Sequence, residues 1–206
     1  MQLRTTAIIV SARQHGETAV IARMMTVEAG LVAAYIAGGR GRTLRPVVLP
    51  GNVVEADIRS KNEGALPFAR LELTASRGPW MSEPLPAGAI SWMSALTASV
   101  LPERQAYPAL YEALGGALEA VCVAPSARGW LPALITYERL MLRELGYGGG
   151  RGAPPPDAKS GEDLTALIAR FEKLGRAIEN YLLAGTFGDV MSARNLLLGR
   201  LKRMDA

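Results

Sequence analysis

The period of the apolar residues changes once along this chain, from two to between three and four, and that change limits its possible folds more than any other feature. As far as Ser76, apolar and polar residues alternate in short runs separated by turn signals. Five such runs, at residues 5–12, 18–25, 31–37, 52–59 and 68–76, predict strands. In the fourth, Val54, Ala56 and Ile58 face one way and Glu55, Asp57 and Arg59 the other; in the fifth, Leu71 and Leu73 oppose Arg70 and Glu72. His15-Gly16 and Glu28-Ala29-Gly30 supply tight turns after the first and second strands. Five short antiparallel strands in under eighty residues suit a small closed barrel, most commonly the oligonucleotide-binding (OB) fold.

After Gly78 the helical period takes over, most clearly where Leu164, Leu167, Ile168, Phe171, Leu174, Ile178 and Leu182 form one stripe. Ser160 and Asp163 resemble a capping box at the start of that helix, and Gly185 offers an exit. Further helices are expected at about 88–101, 104–121, 126–146 and 189–204. The predicted class is therefore α+β multidomain: an OB-type barrel over residues 1–78, then a helical bundle over 79–206. A glycine- and proline-rich loop at 148–160 interrupts the bundle, because prolines cannot continue a helix.

Composition narrows the chemistry. The chain has 206 residues, 49% hydrophobic and 20% charged, which excludes wholesale disorder. One histidine, His15, and one cysteine, Cys122, are too few for a Cys/His zinc site or an internal disulfide. No catalytic set of nucleophile, base and orienting group assembles around a solitary histidine, so neither an enzyme nor a cofactor is expected. Gly38-Gly39-Arg40-Gly41 lacks the ending of a nucleotide-binding P-loop. Cys122, among apolar neighbours, reads as a buried, inert thiol. The longest uncharged run carries three prolines, and the first apolar run is too short for a signal-peptide core, so a cytoplasmic location is expected.

The net charge of +4 lies wholly in the first 78 residues, which hold ten Lys and Arg against six Asp and Glu. No acid occurs from Ala29 to Val54, where Arg40, Arg42 and Arg45 stand among glycines. Glycine lets a loop approach a phosphate backbone closely and guanidinium supplies the charge, so Arg40 and Arg42 are the leading candidates for nucleic-acid contact. Arg45, Arg13, Arg59 and Lys61 follow; for all six the competing reading is a charged, solvated turn or strand face. Tyr35 and Phe68 are the only Phe, Tyr or Trp residues before Gly78, and since either can simply fill the barrel, base stacking is expected to be minor. Binding is therefore expected to be led by phosphate contacts, tolerant of sequence and sensitive to salt. Arg139 and Arg143 share a helix face suited to an acidic partner segment or simply to solvent. Arg194, also a partner-binding candidate, stands with Arg200, Lys202 and Arg203 on a basic C-terminal helix, either a second DNA surface or a complement to the helix dipole.

Strings along the chain resemble a known family. Arg13, Gly16-Glu17-Thr18, Thr26-x-Glu28-x-Gly30, Gly38-x-Arg40 and Leu49-Pro50-Gly51 occur in the order and spacing of the N-terminal OB domain of RecO, the bacterial DNA repair and recombination mediator. The resemblance resumes at Tyr137-Glu138, runs to Leu145-Gly146-Tyr147-Gly148, and ends near Arg194. It implies a nucleoid-associated protein that binds single- and double-stranded DNA and anneals complementary strands. It further implies engagement of the acidic C-terminal tail of single-stranded DNA-binding protein, and action with RecR so that RecA can load. Many relatives carry four zinc-binding cysteines after the Leu-Gly-Tyr phrase, where this chain has the Gly/Pro-rich loop. Ala37 stands where lysine is frequent in the family, and Ser192 where some relatives have lysine. The residues by themselves leave a second reading open: a non-catalytic OB-fold nucleic-acid binder whose helical half serves assembly.

Overall fold

The structure is a computed structural model, and it describes residues 2–60, 62, 64–148, 163–185 and 190–205. The chain forms two compact units, residues 1–82 with 101–111 and residues 83–100 with 112–206.

In the first unit five strands, β1 (Gln2–His15), β2 (Ala19–Thr26), β3 (Gly30–Ile36), β4 (Val53–Arg59) and β5 (Phe68–Ala75), close into a barrel in the order β1-β2-β3-β5-β4. This is an OB-type barrel: all neighbours are antiparallel except β3 and β5, which meet in parallel at Tyr35 and Phe68. The alternation seen in the sequence fills it. Ile9, Ala22, Met24, Ala34, Ile36, Val54, Ala56 and Ile58 form the core, and burying each large aliphatic side chain contributes about 1.5–3 kcal/mol. Leu71 packs against this core, but Leu73 is 38% exposed, beside the irregularity where β4 shifts register between Val53 and Val54.

Two turns explain motif residues. Gly30 has φ +65°, and a Cβ there would lie 1.8 Å from the Gln105 carbonyl oxygen, so only glycine fits between β3 and the segment that follows Leu101. That segment runs beside β3, with the Arg104 amide donating to the Leu31 carbonyl. Arg104 has φ +60°, which no helix accommodates, and the helix expected from 104 accordingly begins at Pro108. At Leu49-Pro50-Gly51, the Gly51 amide donates to the Ile9 carbonyl and the Ile9 amide to the Asn52 carbonyl. Buried Asn52 then donates from its amide nitrogen to the carbonyls of Pro46 and Val47 and accepts from the Arg77 amide.

The described helices are α1 (Pro84–Val100), α2 (Pro108–Val123), α3 (Ala127–Leu142), α4 (Leu164–Tyr181) and α5 (Val190–Asp205). The α4 stripe buries Leu167, Ile168, Phe171, Leu174 and Ile178 as expected, with Leu164 and Leu182 half-buried at its ends. Its cap differs from the expectation: Asp163 is itself the N-cap, accepting from the Ala166 amide at 2.7 Å, and Ser160 lies outside the described residues. Most of the Gly/Pro-rich loop also lies outside them. α3 ends in one π-turn, Arg143–Tyr147, where Gly146 at φ +93° reverses the chain and Tyr147 stacks on Tyr181 with centroids 5.3 Å apart. Cys122 is partly exposed rather than buried.

Candidate nucleic-acid interface

The basic loop leaves β3 and folds back over the end of the barrel. Gly39 is buried, and a Cβ there would come within 2.5 Å of the Val20 side chain. Gly39 therefore serves to seat the loop on its own barrel, whereas the sequence suggests that the glycines beside Arg40 serve an approach to phosphate. The Arg40 amide donates to the Thr18 carbonyl, and its guanidinium donates to the carbonyls of Gly16 (3.2 Å) and Glu17 (2.8 Å). Arg40 thus ties the loop to the β1–β2 turn while its charge stays at the surface. This couples two motif strings, Gly16-Glu17-Thr18 and Gly38-x-Arg40, which lie 24 residues apart at Gly16 and Arg40.

Arg42 and Arg45 are exposed on the same loop. Arg40 and Arg45 border a groove of about 380 Å³ floored by Val20, Val48, Leu49 and Pro50, with Gln14 of β1 along its side. Its cationic rim suits an extended anionic chain.

The remaining candidates divide. Arg13 is exposed near the end of β1. Arg59 is bound in a fork to Asp57, with bonds of 3.0 and 2.7 Å, so it is half of an ion pair and not an uncommitted cation. The Arg59 hydrogen bond holds the Asp57 carboxyl below the usual carboxylate range, assisted by the charges of Arg59, Arg4 and Arg70 against a desolvation cost. Lys61 lies outside the described residues. Tyr35 and Phe68 do not fill the barrel. They stand on its outer surface, edge to face at 5.3 Å, with Phe68 55% exposed. Strand parity carries this information, since Ala34 and Ile36 face inward and Tyr35 between them must face out.

In the helical unit, Arg143 is exposed and 3.4 Å from Glu144. Arg139 is partly buried; desolvation first, then the charges of Arg170 and Arg143, push its guanidinium below the usual arginine range. Arg194 corrects the expectation of a basic partner surface. It is 1% exposed, in a side-on fork with Glu138 at 2.8 and 2.9 Å, and it also donates to the Phe171 carbonyl. Its guanidinium lies 3.7 Å from the Phe171 ring centroid, and Trp92 Nε1 donates to Glu138 at 2.6 Å. α1, α3, α4 and α5 are thereby joined through one buried ion pair, which accounts for the Tyr137-Glu138 and Arg194 positions as structural.

Known proteins are similar to this chain in sequence. The family model for the Recombination protein O N terminal matches residues 1–77, and that for the Recombination protein O C terminal matches residues 82–148. A protein named DNA repair protein RecO from Caulobacter vibrioides (strain NA1000 / CB15N) is 37% identical over 150 residues, covering 72% of this chain and 60% of its own. One from Phenylobacterium zucineum (strain HLK1) is 34% identical over 153 residues, covering 72% and 60%. A third, from Rhodospirillum centenum (strain ATCC 51521 / SW), is 32% identical over 179 residues, covering 86% and 69%. This chain spans about three fifths of the length of the first two relatives. With the barrel and the first part of the helical region both matched, the chain belongs to the RecO family of DNA repair proteins.

Proposed function

We propose that this chain is a recombination mediator: it binds single- and double-stranded DNA, anneals complementary strands, and helps displace single-stranded DNA-binding protein, with RecR, so that RecA loads. The observation that carries the reading is the cationic groove at the end of the OB barrel, with Arg40 and Arg45 on its rim and Arg42 on the same loop. Arg40 acts from a fixed position because the β1–β2 turn holds it, whereas Arg42 and Arg45 supply the charge that a strand displaces counterions to reach. Arg139 and Arg143, one helical turn apart at the end of α3, are the candidate contacts for an acidic protein tail. No covalent step is required, and the work is done in the cytoplasm on nucleoid DNA.

The test is annealing of complementary oligonucleotides precoated with single-stranded DNA-binding protein, with and without the full chain. Acceleration that an Arg42→Ala/Arg45→Ala variant loses supports the mediator reading. Binding of bare DNA without acceleration on coated strands points instead to an OB-fold binder whose helices serve assembly. Three phosphate contacts give single-strand binding a log–log salt slope of roughly −2, and the double variant reduces its magnitude by roughly 1.4, at about 0.7 per contact. A slope near zero refutes the electrostatic basis of the reading.

A further inference from the structure

The register of the barrel lines up a band of outward-facing side chains that the basic loop does not include. Arg13 pairs with Ile21, Ile21 with Tyr35, Tyr35 with Phe68, and Phe68 with Arg59. The band crosses five strands at about 4.8 Å per step, roughly 19 Å along the curved face. An arginine stands at each end and two aromatic rings lie between. His15 adds a third ring, edge to face with Tyr35 at 5.8 Å. A hollow of about 300 Å³ opens beside Tyr35 and Phe68, bounded by Asp57, Arg59 and Arg70.

We propose that this outer face is a base-stacking site for single-stranded DNA, with Phe68 receiving a nucleobase, Tyr35 bracing its ring edge to face, and Arg13 and Arg70 at the margins holding the backbone. The proposal rests on the DNA-binding reading above and adds a second locus, on a different surface of the barrel from the groove of the basic loop. Three observations converge on a base as occupant. Phe68 keeps more than half its surface in water, at a hydrophobic cost that a stacked base recovers. Asp57 lines the hollow, and its carboxylate repels a phosphate but can accept from an N–H of a base. Arg4, Arg59 and Arg70 surround that carboxylate, through register pairing for Arg4 and Arg70 and a fork for Arg59, so the margin remains cationic. Tyr35 and Phe68 are also the register contact of β3 with β5, so a structural staple is the competing role for the pair. The experiment must therefore read the base itself.

The test compares binding of the full chain to a fluorescent thymidine oligonucleotide and to an abasic oligonucleotide of equal length and charge, by anisotropy across a salt series. Stacking one base on Phe68 makes the wild type prefer the thymidine strand by about five- to 150-fold. Phe68→Ala removes that preference while leaving the salt slope unchanged, and Phe68→Trp restores it; a structural staple would alter both oligonucleotides together. Equal affinity of the wild type for both strands, or a Phe68→Ala variant that still discriminates, overturns the proposal. Failure of the DNA-binding reading is distinguishable, because neither strand then binds at any salt concentration.

Discussion

Replacing Arg194 by methionine tests whether the helical unit is organised around a charge in its core. The substitution keeps an unbranched stem of similar reach but removes both bonds to Glu138 and the bond to the Phe171 carbonyl. Glu138, fully buried, retains only the Trp92 indole N–H as a described partner. Breaking a buried ion pair from one side costs about 3–5 kcal/mol, since the surviving charge cannot return to water. For a chain of this size that lowers the melting temperature of the helical unit by roughly 6–20 °C. In Glu138→Gln/Arg194→Met no net charge is left behind and the glutamine still accepts from Trp92, so the double variant should lose less stability than Arg194→Met alone. Gly175 gives the cycle a second axis. A Cβ on Gly175 would fall 2.0 Å from Arg194 Nη1, and that guanidinium is held by several bonds and cannot give way. Gly175→Ala should therefore destabilise the wild type by about 1–3 kcal/mol and the Arg194→Met background much less. The measurement is urea unfolding followed by helix circular dichroism at 222 nm. Additive losses in both cycles, or an Arg194→Met variant within about 1 kcal/mol of wild type, would refute the buried pair.

Two titrations follow from the same structure. Because the Arg59 fork and neighbouring arginines lower the Asp57 pKa, its carboxyl carbon should titrate by NMR below an ordinary aspartate, and Arg59→Gln should move the midpoint up. A depressed folded pKa means the pair helps the fold above the unfolded pKa and stops helping as pH falls through the folded one; an unmoved midpoint would show that the fork does not form in solution. Burial raises the Tyr137 phenol far above the usual range, with the Thr97 hydrogen bond opposing and the Glu138 charge reinforcing the shift. The unfolded chain then loses this proton first, so stability should decline as pH rises past about 10, and Tyr137→Phe should flatten the decline. Equal alkaline sensitivity of the two proteins would remove Tyr137 as its cause.

The barrel was legible because its strands are half-buried and period-two patterning survives half-burial. The helices were legible wherever one face met the core. The misread residues are charged or aromatic ones whose position in the pattern outweighs their type. By type Arg194 reads as a surface cation, yet it shares a stripe with Leu197 and Leu201, all three buried. Glu138 likewise sits between Leu134, Ile135, Met141 and Leu142 on a buried face. Two opposite charges, each centred in an apolar stripe, signal a buried pair even though 56 residues separate them. Arg40 was recognised as special, but its partners, the carbonyls of the β1–β2 turn, are backbone atoms and leave no trace in side-chain pattern.

The position of Arg13 depends on a single extra residue. In β1, Ala7 and Ile9 face the core, and uninterrupted alternation would send Ser11 and then Arg13 inward. The register with β2 instead jumps from Ile9–Met24 to Ser11–Arg23, leaving Val10 as the residue without a counterpart. Such a bulge reverses parity beyond it: Ala12 packs against the core and Arg13 turns outward, in register with Ile21 and so with Tyr35. The same place is where Gly51 and Asn52 bond to Ile9. The Leu49-Pro50-Gly51 string that ends the basic loop therefore meets β1 at the bulge that turns Arg13 outward. The loop's seating and the outer face's charge thus share one irregularity, which ties the two DNA-contacting surfaces proposed for this barrel to a single feature of its backbone.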